Sequence, residues 1–303
     1  MSWTDWADVR NAESAHLTKT SSGRDVEQFL SRAFDDDLSA SSALPQSARV
    51  LQERFGFSPA TLDWELFAQS DQGAVIVMSD ASADFSDLAV RLQDLGFQKP
   101  DSEDGVWMGG SDLLTSIAPD LTPELGYVAL DRKDHLILTS DTALYLQDAL
   151  DARAGHVDRV TGLDTVARAV DDPLAAEVYS GDYACGALAM AHADPSDQAQ
   201  GTQLIAAAGE VNPYSAIAIA LEPARRAQVA FQFDSDDQAR TNADTRSVLA
   251  RGAAPGQGGA FGDRFGVRRV TASGSLVSMD LALRPRAFLI SDLASGPVLF
   301  ATC

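Results

Sequence analysis

Ala216-Ile217-Ala218-Ile219-Ala220-Leu221 is a short apolar run, broken by Glu222-Pro223-Ala224-Arg225-Arg226. Gln228-Val229-Ala230-Phe231-Gln232-Phe233 follows and alternates, placing Val229, Phe231 and Phe233 on one face, as a half-buried strand requires. Asp234-Ser235-Asp236 are helix-start residues, and the segment after them carries Ala239, Ala243, Val248 and Leu249 before Gly252. The stretch predicts a hairpin followed by a helix.

Working outward, the same order recurs. Tyr127–Leu130 and His135–Thr139 flank the charged turn Asp131-Arg132-Lys133-Asp134, and Ser140-Asp141 opens a helix running through Leu144 and Leu150 to Gly155. Val267–Ala272 and Leu276–Leu283 flank Ser273-Gly274-Ser275, and a short helix is expected over 287–293. Gly73–Met78 reads as a buried strand. Phe85, Leu88, Ala89, Leu92 and Leu95 have amphipathic-helix spacing ending at Gly96, and Val106-Trp107-Met108 is a short strand. Asp63–Ala68 fits either a first strand or the end of a helix. Tyr183–Ala191 is expected as a strand of small residues, and Ser196–Gly209 as an Ala-rich helix. These patterns predict an α+β fold: antiparallel or mixed sheets, helices on one face, built from repeated, ferredoxin-like β-hairpin–helix units. The expected organisation is an N-terminal segment over 1–48, a first α+β half over 49–160 and a second over 161–303.

Acidic residues outnumber basic ones 44 to 23, giving a formal net charge of −21, and only Lys19, Lys99 and Lys133 are lysines. That balance argues against sequence-independent nucleic-acid binding and against docking to anionic lipid through a basic patch. It suits a solvated, self-repelling surface, or an acidic face for a basic partner or divalent cations. No stretch has the roughly 18–20 apolar residues of a membrane span. The start, Met1-Ser2-Trp3-Thr4-Asp5-Trp6, lacks the basic and apolar regions of a signal peptide. Either the protein is cytosolic or a leader has been replaced by an initiator Met.

Cys185 and Cys303 are the two cysteines. Their wide separation is that of a single structural disulfide in an exported protein, closing a loop worth roughly 4–5 kcal/mol in the chain-entropy model. The alternative is two unrelated thiols.

Chemistry-bearing motifs are sparse. His16, His135, His156 and His192 lack zinc-ligand spacing. The Asp clusters at 35–37, at 80, 84 and 87, and at 234, 236 and 237 fit helix caps better than a calcium loop. Gly256-Gln257-Gly258-Gly259-Ala260-Phe261 lacks the Lys-Ser/Thr of a P-loop, and reads as an irregular connection and the first choice for a partner-binding loop. Asp63/Glu65 and Asp101/Glu103 flank Trp64 and Trp107, the only carboxylate pairs that suggest a hydrolase groove. No cofactor is implied.

The Asp/Ala/Arg composition, the aromatic start Trp3-Thr4-Asp5-Trp6 and the ending Pro297-Val298-Leu299-Phe300-Ala301-Thr302-Cys303 resemble the envelope lipoproteins of high-GC Gram-positive (actinobacterial) bacteria. The resemblance implies an extracytoplasmic protein, held to the membrane through a lipid anchor that this chain does not carry. The expectation is a non-catalytic envelope protein, structural or binding a protein partner, such as an accessory subunit of a membrane complex. The alternatives are a small-molecule or lipid carrier and, behind it, a hydrolase.

Overall fold

The structure is a computed structural model that describes residues 1–102, 104–157, 160, 162–294 and 296–303. The chain divides into two compact units, Met1–Phe34 with Ser42–Asp158, and Asp35–Ser41 with Arg159–Cys303. It is mixed α+β, with antiparallel strands throughout the pairings described below. Residues 1–48, read from the sequence as an N-terminal segment, supply a strand and two helices to this arrangement.

In the first unit the strands are β1 (Ser2–Thr4), β2 (Trp64–Gln69), β3 (Ala74–Ser79), β4 (Val106–Met108), β5 (Tyr127–Asp131) and β6 (Leu136–Ser140). They lie in the order β1-β2-β3-β6-β5-β4. The stretch Asp63–Ala68, ambiguous in sequence, is strand β2. In the second unit the strands are β7 (Ala175–Ser180), β8 (Ala216–Glu222), β9 (Arg226–Gln232), β10 (Phe265–Ser273) and β11 (Leu276–Leu283), in the order β7-β8-β9-β11-β10.

Both units follow one path. A strand is followed by helices (Trp6–Ala12 and Gly23–Asp35; Asp182–Gly186 and Pro195–Ala208) and then a hairpin (β2–β3; β8–β9). A helix (Phe85–Leu95; Asp236–Leu249) leads to a second hairpin (β5–β6; β10–β11), whose later strand pairs with the later strand of the first. A closing helix ends each path (Ala143–Arg153; Leu289–Ala294), and β4 with helix Gly110–Ile117 is an addition in the first unit. The counterpart of β8–β9 and its helix is therefore β2–β3 and Phe85–Leu95. The sequence pattern matched it to β5–β6 instead, because hairpin–helix grammar is local and occurs twice per unit.

Helix starts obey that grammar. Asp84 accepts from Ser86 N and Asp87 N at 2.9 and 3.2 Å, Asp194 caps Pro195–Ala208, and Ser235 accepts from Gln238 N at 3.3 Å. Asp37 behaves differently: it accepts from Ile290 N at 2.6 Å and Ser291 N at 3.1 Å, capping a helix some 250 residues away in sequence.

Helices on one face, as the alternation predicts, is corrected by burial. In the first unit Val75, Leu136 and Leu138 pack against Leu146 of helix Ala143–Arg153, while Ile76, Met78, Ile137 and Thr139, on the opposite face, are equally buried. Every residue of Ala216–Leu221 in β8 is buried. Its alanines pair with Ala230 and Gln232 on the face reached by Gly162, where helix Leu163–Ala169 begins. Its isoleucines pair with Val229 and Phe231 on the face covered by Arg246. The Ala/Ile alternation thus sorts small from large, and each sheet face has its own cover.

Tyr183–Ala191 is not a strand. Gly181, at φ +59°, turns the chain after β7, and Asp182–Gly186 is a short helix followed by the turn Met190–His192. The strand is the preceding Ala175–Ser180, whose mid-strand Glu177 masks its apolar character.

Candidate functional site: an arginine-lined groove on the second unit

Three guanidiniums, those of Arg226, Arg268 and Arg269, line one concavity of about 480 Å³ together with Glu222, Ala227, Asp280 and Leu281. Strand register explains how they meet. Glu222 lies opposite Arg226 at the end of the β8–β9 hairpin, and Arg226 opposite Ala282 of β11. Arg269 lies opposite Asp280. Neighbouring residues of a regular strand point to opposite faces, so Arg268 and Arg269 would normally diverge. The register of β10 against β11 instead shifts between Val267 and Arg269, leaving Arg268 as the extra residue of a β-bulge, and both arginines line the groove.

Electrostatically the groove holds more cation than anion. Arg226 pairs with Glu222 at 3.4 Å and Arg269 with Asp280 at 3.8 Å. Among the described residues the Arg268 side chain has neither an ion pair nor a hydrogen bond. Both ion pairs are long, and both guanidiniums are exposed, although Glu222 itself is half-buried, so the pairs hold their guanidiniums weakly. Three planar cations against two carboxylates leave donors directed at an oxyanion. Among the described residues, no nucleophile paired to a base lines this groove.

The sequence does carry a signal for it, which motif reading passes over. Arg225-Arg226 and Arg268-Arg269 are the two Arg doublets of a chain with net charge −21. Whole-chain charge hides this local concentration.

The residues singled out in the sequence lie elsewhere. Cys185 and Cys303 form a disulfide, their Cα atoms 5.6 Å apart and 118 positions apart in the chain. Around it Arg246, fully buried on helix Asp236–Leu249, donates to Phe300 O at 2.7 Å, Thr302 O at 2.9 Å and Asn212 O at 2.7 Å, and to Asn242 Oδ1 at 3.0 Å. Its guanidinium stacks over Tyr214, Phe231 and Phe233 with no carboxylate in its hydrogen-bonding set, and burial lowers its pKa to about 10. Tyr214 Oη donates to Ala301 O. The end of the chain is thus held covalently and by a buried cation, a structural role that motif reading missed.

In the loop read as partner-binding, Gly256, Gly258 and Gly259 are exposed, Gln257 is half-buried with Nε2 donating to Asp292 O at 2.8 Å, and Phe261 is buried against Phe265 and Phe300. The loop offers glycine backbone outward and anchors itself through Phe261.

The carboxylate pairs separate. Glu65 is buried and accepts from Trp6 Nε1 at 3.0 Å, Ser42 Oγ at 2.5 Å and Ala43 N at 2.9 Å, and burial pushes its pKa up to about 7 against those hydrogen bonds. Asp63 instead accepts from Ala81 N at 2.8 Å. Asp101 lines a second concavity, of about 320 Å³, with Lys99, Trp107, Leu130 and Arg132. Glu103 lies outside the described residues. His135 stands edge-on to Phe85 with ring centroids 5.7 Å apart, and His192 Nε2 is 2.8 Å from Gly186 O. Among the described residues, no group of three His, Cys, Asp or Glu could hold a metal ion, and no helix is long and apolar enough to cross a membrane.

No protein-family model, no curated protein and no solved structure matches this chain.

Proposed function

We propose that the chain works outside the cytoplasm as a non-catalytic envelope protein, structural or partner-binding, in the manner of an accessory subunit of a membrane complex. The Cys185–Cys303 bond carries this reading, because a structural disulfide persists in oxidising compartments and is rare in reducing ones. A lipid anchor is the proposed means of membrane attachment. The arginine-lined groove supports binding over catalysis, since it presents exposed donors without a nucleophile–base pair. The matched strand orders of the two units support the finer fold reading, a repeated ferredoxin-like hairpin–helix unit. Pull-down from native membranes tests the function: recovery of a defined larger assembly is expected, and recovery of the protein alone counts against it. Thiol labelling of denatured, unreduced protein from the native host tests the compartment. No label is expected, and two free thiols end the extracytoplasmic reading.

The same groove favours a second reading, a carrier of a small polar molecule, because it is concave and of ligand size. Co-purification of a small anion with native protein, retained through gel filtration, is the outcome that would promote it.

A further inference from the structure

We infer that the groove between β8, β9, β11 and β10 binds a phosphoryl group, the dianionic head of a phosphate monoester. Three observations on separate elements converge on it. The β-bulge at Arg268 turns two consecutive arginines toward one concavity, which an unbroken strand would prevent. Arg226 arrives from the β8–β9 hairpin and completes a three-guanidinium lining. The internal carboxylates satisfy this lining only in part, at 3.4 and 3.8 Å, and among the described residues the Arg268 side chain has no partner at all.

The charge of the lining selects the ligand. Glu222 and Asp280 already provide two carboxylates and leave the groove with one net positive charge. A dianion gains twice the attraction of a monoanion from that excess, and its three terminal oxygens can each face a separate guanidinium. Elsewhere the chain is strongly acidic and repels anions at long range. Recognition must therefore come from direct contact in the groove, and ionic strength should change it less than it changes a diffuse basic surface. The inference rests on the reading of the chain as a non-catalytic binding protein and adds the group that the groove takes.

Titration of the full chain with inorganic phosphate, by calorimetry at constant ionic strength, tests it. Saturable one-site binding is expected for the wild type. Arg268→Ala should weaken it by roughly tenfold or more, since one charge-assisted contact is lost. Glu222→Gln with Asp280→Asn should tighten it, because the guanidiniums lose their internal competitors; a merely structural ion-pair cluster predicts no gain. Arg268 is exposed and its side chain makes no hydrogen bond or ion pair among the described residues, so its replacement should leave the circular-dichroism melt unchanged. No saturable binding overturns the inference, as does equal binding by wild type and Arg268→Ala, which would mean adventitious ion association only. Flotation with phosphatidic acid vesicles against phosphatidylcholine vesicles separates the sources. Arg268-dependent flotation assigns the group to a lipid headgroup, and phosphate saturation without flotation assigns it to a soluble ester. The pull-down proposed above is read independently. A larger assembly recovered equally by wild type and Arg268→Ala keeps the binding-protein reading even if the phosphoryl inference fails.

Discussion

Raising the pH from 5 to 8 should weaken the first unit through one carboxyl group, Glu65. This side chain is buried on β2, ringed by three donors and no cation, and burial lifts its pKa from 4.5 to about 7. In the unfolded chain it ionises near 4.5. Between those values the unfolded state binds fewer protons than the folded state, so stability falls as pH rises through this window and stays low above it. A shift of about 2.5 pH units at 1.36 kcal/mol each corresponds to about 3 kcal/mol. Glu177, half-buried and also lifted to about 7, adds a slope of the same sign, so the wild-type curve alone does not isolate Glu65. Glu65→Gln does. It keeps one acceptor oxygen, for either the Ala43 amide or the Trp6 indole, sets an NH2 against the other donor at a cost that does not vary with pH, and removes the ionisation. Denaturant unfolding of wild type and variant at pH 5, 6, 7 and 8 should give stability differences that move by about 2.5 kcal/mol in favour of the variant as pH rises, the rest of the shift being already lost below pH 5. Intrinsic tryptophan fluorescence should report the same transition, since all four tryptophans lie in the first unit. If the wild-type and variant curves run parallel from pH 5 to 8, Glu65 is ionised in the folded protein at low pH and the burial reasoning is wrong.

Reducing the Cys185–Cys303 bond, or replacing both residues by Ser, should cost about 4–5 kcal/mol by the chain-entropy relation, measured as a lowered guanidinium midpoint for the second unit. Arg246→Met should cost about 3–5 kcal/mol, because it leaves the carbonyls of Asn212, Phe300 and Thr302 buried without their donor, and hydrogen exchange over 298–303 should rise in step. Gly256→Ala should cost about 1–3 kcal/mol in thermal melts: the residue sits at φ +82°, and an added Cβ would meet Pro297 Cγ at 2.4 Å. Unchanged stability in that variant would show that the loop over 252–266 can shift away from Pro297.

Much of this molecule is legible residue by residue. The hairpins at 216–233, 127–140 and 265–283, the caps at Asp84 and Ser235, the helix Phe85–Leu95 and the pairing of two distant cysteines follow from periodicity, turn chemistry and a count of thiols. These features depend on interactions within about ten residues, or on there being one possible partner, so a single sequence suffices to write them. Where composition blurs the period, reading fails. Glu177 inside β7 and the small residues of 182–191 interchange strand and helix, and Ser2–Thr4 is too short to announce a strand.

The tertiary structure decided what depends on closing distant segments. It set the strand order, which makes β2–β3 rather than β5–β6 the counterpart of β8–β9. It brought Asp37 to the helix at 289–294, and Trp6 to Glu65 across 59 positions. It buried Arg246 as the clamp on the end of the chain. It also made a groove from Arg226 and the doublet Arg268-Arg269, a concentration that a net charge of −21 over the whole chain hides. The bulge at Arg268 shows the physical reason: one residue of register, set by how β10 meets β11, moves a side chain from one sheet face to the other, and no local pattern around Arg268-Arg269 carries that register.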